Sequence, residues 1–206
     1  MEVREIREKY PYLYETHLHT REASACAKNS AQEMVQAAKD YGYAGIFVTN
    51  HAWYGNTSVD RSLPWEEWVH GFCAPFYTAK AYGDQIGLSV FFGYESCYQG
   101  TEFLIYGVDE EWLLTHPEIK DATITEQLQL VREQGGLVMH AHPFREEAYI
   151  PRVRLFPELV DGVEGINATH SSHLSTAHND PRFDERAIAY AREHDLPMSA
   201  GSDVHS

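Results

Sequence analysis

The chain has 206 residues, of which 43% are hydrophobic and 23% are charged, values that suit one water-soluble globular domain with a sizeable core. Its 31 acidic residues outnumber 16 basic ones and leave a net charge of −15, which disfavours a large nucleic-acid footprint because such surfaces are basic. No apolar run is long enough to span a bilayer, so we expect no membrane partner. The charged N-terminus lacks a signal-peptide core, and the three cysteines show no paired spacing. We therefore expect a cytoplasmic protein.

Strand-like and helix-like segments alternate along the chain. We predict strands at Tyr12–Thr16, Gly45–Thr49, Leu88–Tyr94, Phe103–Val108, Leu137–Ala141, Gly162–Asn167 and Pro197–Ser202. We predict helices at Ser30–Tyr41, Trp65–Gln85, Glu110–Leu114, Thr125–Gln134, Arg152–Leu159 and Pro181–Asp195. The third and fourth strands are joined only by residues 95–102, too few for a crossover helix, so they should form a hairpin. The other units predict the α/β class: an irregular, TIM-like (β/α)7 barrel forming a single domain over residues 1–206.

Histidines and acidic residues recur where the predicted strands end. They are His17, His19, His51, Glu95, His142, Asp203 and His205. Alternation along a strand puts both members of a His-x-His pair on one side, and a β/α barrel gathers its strand ends at one face. Imidazole suits zinc-, iron- and manganese-type ions, while carboxylates can bridge two ions. The pattern therefore predicts a hydrolytic site with several metal ions.

These motifs resemble those of the polymerase and histidinol phosphatase (PHP) family of metal-dependent phosphoesterases. The similar segments are His17-Leu18-His19, Thr49-Asn50-His51 (usually Thr-Asp-His in the family), Gly93-Tyr94-Glu95, Ala141-His142-Pro143 and Gly201-Ser202-Asp203-Val204-His205. The resemblance spans nearly the whole chain. It implies a distorted barrel of about seven β/α units and two or three divalent ions, which would be manganese, zinc or iron.

The resemblance also implies how the ligands are shared. His17, His19, Glu95 and Asp203 would hold the first ion. Glu95, as a bridging carboxylate, and His142 would hold the second. His51 and His205 would hold the third.

Three positions depart from the family pattern. Glu102 stands where the family often has a histidine, and we expect it to ligate the second ion; the alternative is a solvated hairpin glutamate. Cys26 lies in the segment where many members carry another third-ion ligand, and it is either a thiolate ligand or a buried structural thiol. Asn50 replaces an acid and is expected to orient a ligand through hydrogen bonds.

Two arginines are candidates for binding substrate. Arg145 closely follows His142, and its planar fork suits bidentate contact with phosphate; the alternative is a surface ion pair with Glu146 or Glu147. Arg21, soon after His19, is the second candidate. His140, expected on the strand face of His142, would support a ligand or transfer a proton.

We interpret the chain as a metal-dependent phosphoesterase, in which a metal-bound hydroxide attacks phosphorus in line and Glu95, Arg145 and His205 take part in catalysis. A small phosphorylated metabolite or nucleotide is favoured as the substrate because the chain is acidic. One alternative is a phosphodiesterase or exonuclease acting on short oligonucleotides or nucleoside bisphosphates, and another is a noncatalytic metal-binding domain. No glycine-rich nucleotide motif or nucleophile elbow is present, so no organic cofactor is expected. The oligomeric state is left open.

Overall fold

A computed structural model describes residues 3–173, 175 and 178–206. Seven strands form one sheet in chain order. They are β1 (Tyr14–Leu18), β2 (Gly45–Val48), β3 (Ser89–Tyr98), β4 (Thr101–Tyr106), β5 (Leu137–Ala141), β6 (Gly162–Asn167) and β7 (Met198–Gly201). The sheet curls until its edges meet, where the backbone N–H of His19 donates to the carbonyl of Val204 at 3.1 Å. This nearly closed barrel confirms the predicted fold.

Six α-helices are found in the described ranges. They are α1 (Val3–Lys9), α2 (Ala31–Asp40), α3 (Trp65–Ile86), α4 (Glu110–Thr115), α5 (Ile124–Glu133) and α6 (Arg182–Glu193). Capping boxes start α2 and α5, because a Ser or Thr side chain and a Glu three residues later satisfy each other's free N–H groups. The largest core cluster contains Trp68 of α3, Phe103 of β4 and Leu128 of α5. None of the helices described is both long and apolar enough to cross a membrane.

Strand β4 runs against the direction of the other six strands. It pairs antiparallel with β3 and β5, whereas the remaining neighbours are parallel. Its first residues therefore lie at the barrel end where the other strands finish. This reversal brings Glu102, the second residue of β4, to the same end as the other predicted ligands.

The predicted hairpin is confirmed, but its connection is shorter than expected. Strand β3 continues through Glu95 to Tyr98, and only Gln99 and Gly100 form the turn, with φ of 53° and 80°. Positive φ at both central residues is what a two-residue hairpin turn requires, and glycine adopts it readily. Glu95 consequently lies inside the ladder, opposite Leu104, and not at a strand end.

The predicted helix over Arg152–Leu159 is wrong, since this segment is an irregular connection. Pro157 disfavours helical backbone at Phe156. Arg154 is also held by distant contacts: its Nε donates to Thr101 Oγ1 at 2.8 Å, and its Nη2 donates to the carbonyl of Tyr98. The opposite error concerns α1, which was not predicted because its short, mainly polar sequence has little apolar periodicity.

The barrel interior changes character along its axis. Leu104, Tyr106 and Ala141, with Phe47 and Met139 packed against them, form an apolar plug. Nearer the end where most strands finish, the inward side chains are imidazoles and carboxylates. The plug seals one end of the barrel, and the polar group occupies the other.

Candidate metal centre

All eight side chains predicted to bind metal lie together at this end of the barrel. Four overlapping groups of three could each hold an ion, with one ligand atom from each residue lying within 4.8 Å of the others. The groups are His17, His19 and Asp203; His17, Glu95 and His142; His19, His51 and His205; and His51, Glu95 and Glu102. The structure therefore brings all eight side chains together, and which of them share an ion stays a prediction.

Glu95 lies between the groups. Its Oε1 is 3.3 Å from His17 Nε2 and 3.1 Å from His142 Nε2, whereas its Oε2 is 2.7 Å from His51 Nδ1 and 3.5 Å from His19 Nε2. Two ligands about 2.1 Å from a tetrahedral ion lie about 3.4 Å apart, so most of these spacings suit shared coordination. The two oxygens of Glu95 face different partners, as a bridging carboxylate would.

The remaining carboxylates have similar spacings. Asp203 Oδ1 is 3.4 Å from His17 Nε2 and 3.3 Å from His19 Nε2. Glu102 Oε2 is 3.4 Å from His142 Nε2. Glu102 is also buried, which disagrees with a solvated hairpin glutamate.

Several buried atoms of the cluster lie close to one another but form no hydrogen bond of good geometry among the described residues. They are His17 Nε2, His19 Nε2, His51 Nδ1 and Glu95 Oε2. Buried polar atoms are normally satisfied because leaving them unpaired is costly. Cations among these atoms would satisfy all four, so the residues present fit a divalent metal centre.

The electrostatics of the cluster lead to the same conclusion. Burial raises the pKa of Glu95, but His17 and His51 outweigh it and hold that pKa well below its ordinary value. Burial lowers the pKa of His17, but Asp203, Glu164 and Glu95 raise it well above its ordinary value. The acids thus hold protons on neighbouring rings, and a bound ion would displace those protons.

Glu164 on β6 supports the cluster from behind and was missed by sequence reasoning. His17 Nδ1 donates to Glu164 Oε1 at 2.8 Å, and Glu164 Oε2 accepts from the backbone N–H of His142 at 3.0 Å. Such a carboxylate fixes the ring so that Nε2 faces the ions. The only signal in the sequence was an acidic residue within an otherwise apolar strand.

Ser24 and Asn50 support His19 and His51 in a similar way. Ser24 Oγ accepts from His19 Nδ1 at 3.1 Å and from the backbone N–H of His51 at 3.0 Å, and it donates to Asn50 Oδ1 at 2.9 Å. Asn50 Oδ1 also accepts from the backbone N–H of Thr20 at 2.7 Å. Asn50 therefore lies where its expected orienting role requires.

Arg145 lies behind Asp203 and is only 6% exposed. Its Nη2 donates to Asp203 Oδ2 at 2.7 Å and to Thr169 Oγ1 at 3.2 Å, and its Nε donates to His170 Nε2 at 3.3 Å. The alternative of a surface ion pair with its acidic neighbours is wrong, because Glu146 pairs with Arg186 and Glu147 pairs with His178.

The structure does not bring Arg21 into the cluster. Its Nη1 lies 3.8 Å from Glu33 Oε2 near the start of α2, and 56% of its side chain is exposed. The pairing with an exposed acid draws the guanidinium towards α2. Substrate contact by Arg21 stays a prediction without a supporting contact among the described residues.

His140 does not share a face with His142, contrary to expectation. Strand β5 ends at Ala141, and the backbone of His142 has φ of 27°. This turn directs His142 into the cluster, whereas His140 stacks on Phe103 with ring centroids 4.8 Å apart. Burial lowers the pKa of His140 to about 3, so this ring is a neutral core residue.

Cys26 approaches the cluster beside His51 and His205. Burial raises the pKa of its thiol, but hydrogen bonds with His205 and His51 outweigh burial and lower it to about 6. His205 Nδ1 donates to the carbonyl of Asp203 at 2.7 Å, which leaves its Nε2 as a donor for an ion.

Comparison with known proteins supports the fold. No protein-family model matches the sequence, and no curated protein matches it significantly. A two-domain protein from Bacteroides vulgatus containing a predicted PHP-like metal-dependent phosphoesterase is 17% identical, with a TM-score of 0.65; the match covers 93% of this chain and 51% of that one. This chain thus spans about half the length of that protein.

Two further structures are similar over most of their length. A candidate metal-dependent phosphoesterase from Bifidobacterium adolescentis is 14% identical (TM-score 0.61; 95% of this chain and 88% of that one). An amidohydrolase from Chromobacterium violaceum, with bound sulfate and no metal, is 12% identical (TM-score 0.62; 93% and 87%). The chain has the fold of PHP-like metal-dependent phosphoesterases, as its motifs predicted.

Proposed function

We propose that this chain is a PHP-type metal-dependent phosphoesterase that hydrolyses a small phosphomonoester. The observation that carries the proposal is the position of Glu95, whose two carboxylate oxygens face separate histidine groups in a buried cluster of unpartnered atoms. Divalent ions bound there would acidify a water and neutralise phosphoryl oxygens. The fold neighbours, named as phosphoesterases or as an amidohydrolase, support a metal-dependent hydrolase.

The residues around the ions divide the remaining tasks. Glu95 and Asp203 supply negative charge, and Glu164 holds His17 in the tautomer that presents Nε2. Arg145 holds Asp203 through Nη2 and also lines an open hollow together with Arg152. A phosphate ester bound beside Asp203 would lie next to this guanidinium.

The charge of the chain supports a small substrate over a polymer. Glu146 and Glu147 line the hollow beside the two arginines, and the whole chain is acidic. A long polyanion would be repelled by these carboxylates, whereas one phosphate group needs only the local cations. A phosphodiester of short oligonucleotides or a nucleoside bisphosphate is the second candidate, because Arg145 and Arg152 border one hollow and could contact a second phosphate.

The test combines elemental analysis with a substrate screen. Protein reconstituted separately with Mn²⁺, Zn²⁺ or Fe²⁺ is assayed on sugar, amino-acid and nucleotide monophosphates, on a dinucleotide, on a nucleoside bisphosphate and on an aryl amide. We expect two or three ions per chain and turnover of a monophosphate. Turnover of the diester or bisphosphate alone would favour the second candidate. Amide cleavage without phosphate release, or full metal content without turnover, would overturn the proposal.

A further inference from the structure

Asn167 is the last residue of β6 and lies fully buried behind the metal cluster. Its Oδ1 accepts from the backbone N–H of Thr169 at 3.1 Å and from Thr169 Oγ1 at 2.6 Å. A backbone N–H can only donate, so these bonds identify the oxygen of the amide and direct Nδ2 the other way. The local sequence favours this arrangement, because an Asn that begins a turn readily accepts from the N–H two residues later.

The amide nitrogen of Asn167 lies between two buried carboxylates. Nδ2 donates to Glu164 Oε2 at 2.9 Å and to Asp203 Oδ2 at 3.2 Å. Both oxygens are within reach of one nitrogen, so two buried like charges lie close enough to repel each other. The amide has two N–H donors, one for each carboxylate. Asn167 thus links Asp203 to Glu164, the residue that fixes His17, and offsets the repulsion between them.

The amide also affects which oxygen of Asp203 is available to an ion. Asp203 Oδ2 accepts from Arg145 Nη2 at 2.7 Å as well as from Asn167. Oδ1 faces the cluster instead, at 3.4 Å from His17 Nε2 and 3.3 Å from His19 Nε2. The choice between the two oxygens is therefore made by donors that lie behind the predicted ligands.

We propose that Asn167 is a positioning residue, whose amide makes Asp203 present Oδ1 alone to the ions and keeps Glu164 beside it. Groups that hold a metal ligand from behind commonly contribute about 10- to 100-fold to metal affinity, because they fix the direction of the ligand atom. A side chain of similar size without donors would leave both carboxylates without this bond. The inference rests on the proposed function in one respect, because the cluster is taken to bind metal.

Manganese tests which oxygen of Asp203 is used. Metal-free protein is titrated with Mn²⁺ by calorimetry, and crystals of the manganese-loaded protein show the coordination. In the wild type we expect Asp203 to bind through Oδ1 only. Asn167→Leu keeps the volume and removes the donor, so Mn²⁺ should bind about tenfold more weakly, and the Asp203 carboxylate should rotate because Arg145 alone then holds Oδ2. Asn179→Leu, at an exposed asparagine, is the control and should bind as the wild type does.

Thr169 provides a second test that leaves Asn167 in place. Thr169→Val removes the hydroxyl that fixes Oδ1 of the amide, so Mn²⁺ should bind about threefold more weakly, as the loss of one hydrogen bond implies. Thr169→Ser keeps the hydroxyl and should bind as the wild type does. Packing alone predicts the reverse order, because valine is closer to threonine in volume than serine is. Thr169 Oγ1 also accepts from Arg145 Nη2, so Thr169→Val is repeated in Asn167→Leu, where it should cost less than in the wild type.

The outcomes separate this inference from the proposed function. Wild-type Mn²⁺ affinity in Asn167→Leu, or an Asp203 carboxylate that keeps its orientation there, would overturn the positioning role and leave the metal-dependent hydrolase intact. An equal cost of Thr169→Val in both backgrounds would also overturn it, since Thr169 would then act through Arg145. If circular dichroism shows Asn167→Leu to be unfolded, equal affinities of Thr169→Val and the wild type would overturn it. A wild type that binds none of Mn²⁺, Zn²⁺ and Fe²⁺ would overturn the proposed function as well.

Discussion

At the scale of single residues, the site depends on which atom each side chain presents. Glu95 offers two oxygens to two histidine groups, and His17 offers Nε2 because Glu164 takes its Nδ1 proton. Substitutions that keep the shape of a side chain and change its charge therefore test the site more cleanly than truncations do.

Glu95→Gln should reduce turnover by at least about 100-fold, which is the upper end of the loss seen when metal-supporting groups are removed. The amide keeps the shape but loses the bridging charge. The free energy of unfolding of the metal-free protein should fall by only about 2 kcal/mol, because one charged hydrogen-bonding partner is lost. Steady-state kinetics and urea unfolding measure both effects. Glu133→Gln, an exposed residue at the end of α5, is the control. Near wild-type turnover of Glu95→Gln with full metal content would refute bridging.

Arg145→Ala should lower kcat/KM for a phosphate ester by about 100-fold, and Arg145→Lys should recover part of the loss because the ammonium keeps the charge without the fork. Arg145 also holds Asp203 at 2.7 Å, so the alanine variant should bind metal more weakly. Measuring kcat/KM across a metal titration separates the two roles. Full recovery at saturating metal would limit Arg145 to positioning Asp203 and would leave phosphate to the ions.

At the scale of elements, α6 is linked to the metal centre through a buried chain of hydrogen bonds. His170, on the 3-10 turn after β6, donates Nδ1 to Asp184 of α6 at 2.6 Å and accepts from Arg145 Nε at 3.3 Å. Arg145 then donates to Asp203. Helix α6 thus holds Arg145 in place through His170, and Arg145 in turn holds the predicted ligand Asp203.

Asp184→Asn should weaken metal binding by about tenfold, as loss of a supporting group beyond the ligands commonly does. The neutral amide holds the His170 tautomer less firmly, and Arg145 loses its fixed position. Isothermal titration with Mn²⁺ measures the effect. Glu185→Gln, the exposed neighbour on the same helix, should bind as the wild type does. Equal affinities for all three proteins would show that α6 only packs against the barrel.

At the scale of the whole molecule, the stability of the metal-free protein and the gain from metal binding should depend differently on pH. Glu95 and Asp203 have pKa values depressed well below their ordinary range. Their contribution to the free energy of unfolding is therefore present above about pH 4 and is lost as pH falls further. Burial lowers the pKa values of His17 and His51, but neighbouring carboxylates raise both well above 6.5. The contribution of these two rings to the free energy of unfolding is complete below about pH 6.5 and is lost as pH rises through their folded-state pKa values.

Burial lowers the pKa values of His19 and His140, so keeping their rings neutral costs stability as pH falls below about 6.5. The metal-free protein should therefore be most stable near about pH 6.5. Metal binding needs neutral rings, so the gain in Tm on adding Zn²⁺ or Mn²⁺ should grow as pH rises above 6.5. Thermal unfolding with chelator and with metal, across a pH series, measures both curves. A gain in Tm that is constant with pH would contradict proton displacement from the rings.

The sequence by itself determined the strand order and most element bounds, and it predicted which eight side chains would come together. Apolar alternation predicts a buried strand from local sequence alone. A β/α barrel gathers the ends of its strands at one face, so residues at those ends can be predicted to lie together. Two helix starts could be predicted as well, because the capping boxes at Ser30 and Thr123 involve residues only three positions apart.

Only the tertiary structure decided which groups support the ligands. Glu164 meets His17 across 147 positions of sequence, and Arg145 meets Asp203 across 58, so neither pairing leaves a local pattern. The same holds for the opposite faces of His140 and His142, which depend on one positive φ at a strand end. The irregular path of Arg152–Leu159 depends on contacts of Arg154 with the β3–β4 hairpin. Periodicity records burial along a segment, whereas these features arise from contacts between segments that only folding brings together.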